Sequence, residues 1–185
     1  MTIAPKYCFN NLFNNFTILI QAPKLNAETV SEYCYSNMFA NCSSLTSMPE
    51  LPATTLTEGC YESMFANCNL LKNTTKLNAK LLEKNCYSNM FANCTSLINA
   101  PELQSTTLAE SCYEGMFANC TSLINAPELP ATALKTDCYK NMFNGCNSLI
   151  NAPKLNATIF DNSSNFYLCM FNNCTSLPQI YFSNL

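Results

Sequence analysis

The chain is short of charge. Only 11% of its 185 residues are charged, its nine basic residues are all lysine, and it has no arginine and no histidine. With twelve acids and a net charge of -3, it offers no basic, arginine-rich stripe of the kind that holds phosphate backbones, so nucleic acid is not an expected partner. The longest apolar runs, such as 16–20, fall far short of the roughly 20 residues that cross a bilayer, and no membrane span is expected. Met1-Thr-Ile-Ala-Pro lacks the basic start of a secretory signal, so the sequence reads either as a chain not exported by that route or as a piece of something longer. Missing histidines and the lack of any CxxC pair remove the usual zinc sets. No catalytic residue, cofactor or metal site is therefore expected.

What the chain does have is repetition. Cys112-Tyr113-Glu114-Gly115-Met116-Phe117-Ala118-Asn119-Cys120 recurs as variants beginning at 34, 60, 86 and 138, with worn copies at 8–16 and 166–174. The first six start 26 residues apart and the seventh carries two extra residues. A fixed period in the range of roughly 20–50 residues marks a solenoid, whose units bury their apolar faces against neighbours. The whole of 1–185 is read as one array of about seven coils, with an N-terminal cap coil over about 1–33 and a C-terminal cap over about 161–185. At the far end Leu177-Pro-Gln-Ile-Tyr-Phe departs from the pattern and is expected to fold over the last coil.

Apolar columns follow from the period. Leu19, Leu45, Leu71, Leu97, Leu123, Leu149 and Leu177 form one. Leu25, Leu51, Leu77, Leu103, Leu129 and Leu155 form another, and Val30, Leu56, Leu82, Leu108, Leu134 and Phe160 a third. Ser-Leu-Ile-Asn-Ala is read as a short strand pairing in parallel with the next coil. Pro23, Pro49, Pro101, Pro127 and Pro153 stand just past it, where a missing N–H is tolerated. The segment from Thr-Leu to Met-Phe is read as a loop and a short helix or turn.

Thirteen cysteines would ordinarily suggest disulfides. Twelve, however, fall into two columns, and at the worn positions Phe16 and Phe166 stand where the pattern has Cys. That exchange suits a buried apolar site and ruins a bridge, so a ladder of free, buried thiols is expected.

The phrase Leu-x-x-Ala-Pro-x-Leu-Pro-Ala, followed by Cys-Tyr-x-x-Met-Phe-x-x-Cys-Thr-Ser-Leu, resembles leucine-rich repeats of the BspA type over about 8–177. The resemblance implies an α/β repeat solenoid: right-handed, with a parallel β-sheet on one face and short helices or turns on the other. It departs in the strand, where proline and a charged residue stand in place of isoleucine, which puts the strand register in question. It also implies a non-enzymatic protein-binding module, used for attachment at a cell surface or outside the cell.

Stacked asparagines (Asn15, Asn41, Asn67, Asn93, Asn119, Asn173, with Gly145 in the sixth copy) are read as a ladder serving backbone groups in a tight coil. The gap filled by Gly145 points to unusual φ. Asn-Cys-Thr and Asn-Cys-Ser match a glycosylation acceptor, but the repeat itself generates the match. The tyrosines 35, 61, 87, 113, 139 and 167 are expected to pack in the core with hydroxyls at the coil edge.

Three outward columns are the candidate partner site. Ile98, Ile124 and Ile150 line up beside Asn99, Asn125 and Asn151, and either mark contact with a protein partner or are half-buried strand residues. Glu50, Lys76, Glu102, Glu128 and Lys154 form a charged column whose plainest reading is a solvated ladder that sets register by cross-strand pairing. The alternative to adhesion is a structural component of a virion or other large assembly, in the cytoplasm or a particle, with its thiols kept reduced and built as a homo- or hetero-assembly.

Overall fold

The structure, a computed structural model, describes residues 3–162 and 165–178. The chain winds into stacked coils of 26 residues, each with a bridging side and a turn side. On the bridging side neighbours pair in parallel. Strand β1 (Ile3–Ala4) pairs with β2 (Thr29–Val30), and β3 (Ala133–Leu134) with β4 (Ile159–Phe160). Single parallel bridges fill the rest, among them Ser47↔Asn73, Leu51↔Leu77, Asn99↔Asn125 and Asn125↔Asn151. Every pairing joins residues 26 apart in sequence. The parallel direction expected of Ser-Leu-Ile-Asn-Ala is present, but only as bridges at its Asn. The two-residue strands lie instead in the stretch before Cys-Tyr, which the sequence suggested was loop.

The turn side decides between the short helix and the turn that the sequence left open. No helix occurs among the described residues, and none is therefore long and apolar enough to cross a membrane. Of the two alternatives the turn is present, as a ribbon of linked turns. Within 31–42, Cys34, Ser36, Met38, Ala40 and Cys42 donate their N–H to Ser31, Tyr33, Tyr35, Asn37 and Phe39, each three residues back. The alternate residues Tyr33, Tyr35, Asn37, Phe39 and Asn41 donate forward, to Glu58, Cys60, Glu62, Met64 and Ala66 of the next coil, at 2.8–3.0 Å. Every N–H from Tyr33 to Cys42 is thereby paired, which burial requires.

Such a ribbon needs φ > 0 at every fourth residue, the third position of alternate turns. Asn85, Asn89 and Asn93 sit at φ 57°, 54° and 62°, and Ser111, Gly115 and Asn119 take the same places one coil on. Asn and Gly tolerate this region, whereas an α-helix of L-residues cannot include it. Gly145, at φ +78°, completes the Asn column: a Cβ there would lie 2.3 Å from the Asn119 amide oxygen.

Inward positions follow the four-residue rhythm. Cys60, Tyr61, Met64, Phe65 and Cys68 are all buried, as are their equivalents in the four other interior copies. Two aromatic columns run the length of the stack. Phe13, Phe39, Phe65, Phe91, Phe117, Phe143 and Phe171 follow one another with centroids 5.5–5.7 Å apart. The tyrosines from 35 to 167 do so at 5.8–5.9 Å. Offset parallel stacking at this separation contributes about 0.5–1.5 kcal/mol per pair beyond burial. The tyrosine hydroxyls do not all reach the coil edge: that of Tyr61 is buried and has no hydrogen-bond partner.

All thirteen cysteines are free. In the second column each thiol donates to the Phe carbonyl of the preceding coil, for example Cys68 to Phe39 at 3.2 Å and Cys120 to Phe91 at 3.1 Å. Phe16 departs from expectation. It is exposed rather than buried, as is Cys8, because both lie in the first coil. Of the expected C-terminal fold-over, 163–164 and 179–185 lie outside the described residues.

Candidate functional site

Each coil crosses from core to surface within two residues. Leu97, Leu123 and Leu149 are fully buried, and the isoleucines that follow them point away. Ile98, Ile124 and Ile150 are 41%, 37% and 47% exposed, so each is about half open to solvent. Their backbones are tied coil to coil, Ile124 N–H to the Ile98 carbonyl at 3.2 Å and Ile150 N–H to the Ile124 carbonyl at 3.0 Å. Ile20, also exposed, belongs to the same column, with Thr46 and Lys72 between.

Beside this stripe Asn99, Asn125 and Asn151 are exposed and bridged to one another, and the Asn151 side-chain amide donates to that of Asn125 at 3.0 Å. The charged column is exposed throughout. Its one ion pair among the described residues is Lys76–Glu102, at 3.8 Å. An exposed pair at this distance contributes at most about 1 kcal/mol. Glu50, Glu128 and Lys154 stand apart from it.

The structure gathers part of this set into one place. Lys76, Asn99 and Glu102, with Lys72, Asn73 and Pro101, line an open, largely polar hollow of about 520 Å³. A second groove, of about 500 Å³ and more apolar, runs beside the strand stretch between Leu81, Thr107, Leu108, Glu83, Glu110 and Lys135. Sequence reasoning missed it, although exposed Leu81 in a column otherwise holding Thr, Ala or Ile was a signal.

The chemistry of reactive groups is subdued. Burial pushes the Cys34 and Cys146 thiols up to about 12 and Cys138 to about 11, and raises the other buried cysteines as well. Thiols so placed stay protonated at neutral pH and are poor nucleophiles. Tyr33 donates to Glu58 at 2.7 Å, and that bond pushes its hydroxyl up to about 12. Among the described residues no group of three or more His, Cys, Asp or Glu could hold a metal ion.

No family model and no curated protein matches the chain. Its structural neighbours are leucine-rich-repeat proteins. One, from Bacteroides ovatus, is 19% identical over 83% of this chain and 41% of its own, with a TM-score of 0.42. A leucine-rich cell surface protein from Faecalibacterium prausnitzii is 18% identical over 90% of this chain and 48% of its own, with a TM-score of 0.43. The leucine-rich-repeat protein of T. pallidum is 16% identical over 85% of this chain and 77% of its own, at 0.42. This chain thus spans less than half the length of the first two.

Proposed function

We propose that the chain is a non-enzymatic protein-binding module whose contact surface is the isoleucine stripe of Ile98, Ile124 and Ile150. One observation carries the reading: three large apolar side chains stay exposed in register on consecutive coils, although residues at the same position elsewhere in the array are Thr46 and Lys72. Aligned apolar exposure of this kind marks contact surfaces. The neighbouring Asn99, Asn125 and Asn151, with Glu102, Glu128 and Lys154, supply the polar rim that gives an apolar centre its specificity. The resemblance to BspA-type repeats favours attachment at a cell surface as the purpose of the contact.

The test is binding of fluorescently labelled protein to intact cells and to immobilised extracellular-matrix proteins. A triple Ile98→Lys, Ile124→Lys, Ile150→Lys variant with an unchanged melting temperature is the comparison. Loss of at least ten-fold in affinity is expected. Equal binding by the variant, or none by the parent, removes this reading.

The free thiols favour a second reading. Ten interior cysteines sit in the core as protonated side chains, an arrangement suited to a reducing setting. In that reading the chain is a structural part of a virion or other large assembly, and it copurifies with the particle.

A further inference from the structure

One junction inside the stack is held differently from its neighbours. Its turn side is bonded as elsewhere, with Asn67 donating to Ala92 before the bridging segments and Asn85 to Glu110 after them. Between those two bonds no bridge and no backbone hydrogen bond joins 71–82 to 97–108. At the junction before it Lys72 donates to Thr46, Lys80 to Thr54 and Leu56 to Leu81, and three bridges form. At the junction after it Ile124 donates to Ile98 and Thr132 to Thr106, with bridges at Asn99 and Thr107. Even 20–30 and 46–56, which share no bridge, keep the Thr46 N–H on the Ile20 carbonyl.

Side chains take over at this junction. The Lys80 carbonyl, which by the pattern would accept the Thr106 N–H, accepts the Ser105 hydroxyl at 3.0 Å instead. Ser105 is buried in a column that is otherwise alanine, at 27, 53, 79, 131 and 157, and such hydroxyls compete with backbone donors. Two exposed ion pairs also cross, Lys76–Glu102 at 3.8 Å and Lys84–Glu110 at 2.7 Å. The coils part on this side. The Tyr61 and Tyr87 rings are inclined by 18°, while the other pairs from Tyr35 to Tyr167 lie within 3–11°. Leu82 is partly open, although Val30, Leu56, Leu108 and Leu134 of its column are buried. Both hollows described above open here, one between Lys72 and Asn99, the other between Leu81 and Thr107.

We propose that this junction is a hinge: the coils up to 82 and those from 98 onward move as two blocks. They bend about the turn-side ribbon, and the two ion pairs latch the bridging side shut. Bending at either neighbouring junction would break backbone hydrogen bonds and bridges. Here it costs only the Ser105 bond and two solvent-exposed ion pairs, while the ribbon and the stacked rings stay together. Exposed pairs are weak and are screened by salt, so the hinge responds to ionic strength. Opening carries Lys72 away from Ile98, its neighbour in the isoleucine column. The inference does not rest on that stripe being a contact surface, since Ile98, Ile124 and Ile150 all lie in the second block.

Pulsed electron paramagnetic resonance on the 185-residue protein tests it. Spin labels on ketone-bearing residues, which spare the native thiols, replace Lys24 and Lys154, both exposed on the bridging side. A control pair replaces Thr17 and Asn147, exposed where the turn ribbon ends and the same number of coils apart. Salt is raised from about 0.01 M to about 1 M, over which the screening length falls from about 30 Å to about 3 Å. The bridging-side pair should gain a longer-distance population, and the control pair should not. Glu102→Gln with Glu110→Gln should produce that population at low salt. Lys80→His with Thr106→His makes a zinc staple across the junction in a chain that has no histidine, and zinc should then abolish it.

Distances that stay fixed at every salt concentration and in the Gln variant would overturn the proposal. So would equal lengthening of both pairs, which would mean that the whole stack stretches. A longer population that survives the zinc staple would place the opening at another junction, and would overturn it too.

Discussion

The Cys94 thiol lies 3.1 Å from the Phe65 carbonyl and donates to it. That same carbonyl already accepts the Cys68 N–H. Cysteine fits this site for two reasons: it fills a fully buried apolar space, and its S–H bonds across the coil junction. Alanine does neither.

Cys94→Ala should therefore destabilise the protein by about 1–3 kcal/mol, the sum of a small cavity and a lost weak hydrogen bond. Urea unfolding of the reduced protein measures it. No change in midpoint would mean that the thiol contributes little.

Alkali should unfold the protein well before it would unfold a cysteine-free one. An unfolded thiol titrates near 8.5, while burial holds Cys34 and Cys146 at about 12 and Cys138 at about 11. The folded pKa is the higher one, so the contribution is fully present below about pH 8.5 and is lost as pH rises toward 11–12. Each such thiol lowers stability by about 1.4 kcal/mol per pH unit in that window. Melting temperatures from pH 7 to 11 should fall steeply above pH 9.

Gly145→Ala tests the positive-φ column. The new Cβ would meet the Asn119 amide oxygen, and the backbone at φ +78° is unfavourable for any side chain. A loss of about 1–3 kcal/mol is expected, measured by thermal melting. Asn119→Gly in the same chain should recover part of it by removing the obstructing amide.

Removing a polar atom should help at Tyr61. Its hydroxyl is buried without a partner, which costs about 1–3 kcal/mol, while its ring stacks between Tyr35 and Tyr87. Tyr61→Phe keeps the stack and should raise the melting temperature. A lower one would show that the hydroxyl is satisfied in solution.

Much of this fold was legible in the sequence because a repeat fixes its own register. The step of 26 identifies partners in every bridge, and the Cys, Leu and Met-Phe columns are core because each coil has the same inside. The free thiols were readable from Phe16 and Phe166, although Phe16 itself proved exposed for want of a coil above it. The outward columns were legible too, since Thr46 and Lys72 share a position with Ile98. Asn85 and Asn89 carried a signal that was missed: residues tolerant of positive φ recur every four positions, and only the column of Asn93 stood out.

The sequence alone determined the period of the coils, which columns face inward and which residues meet across a junction. It could not decide what the Cys-Tyr-x-x-Met-Phe segment does locally. Apolar pairs every four residues suit one side of a helix with 3.6 residues per turn almost as well as a ribbon of four-residue turns. Tertiary structure decided between them: half of the ribbon's N–H groups find their acceptors 25 residues away, as Tyr35 does at Cys60. A helix would bond those groups locally and leave this side of the coils joined by side chains alone.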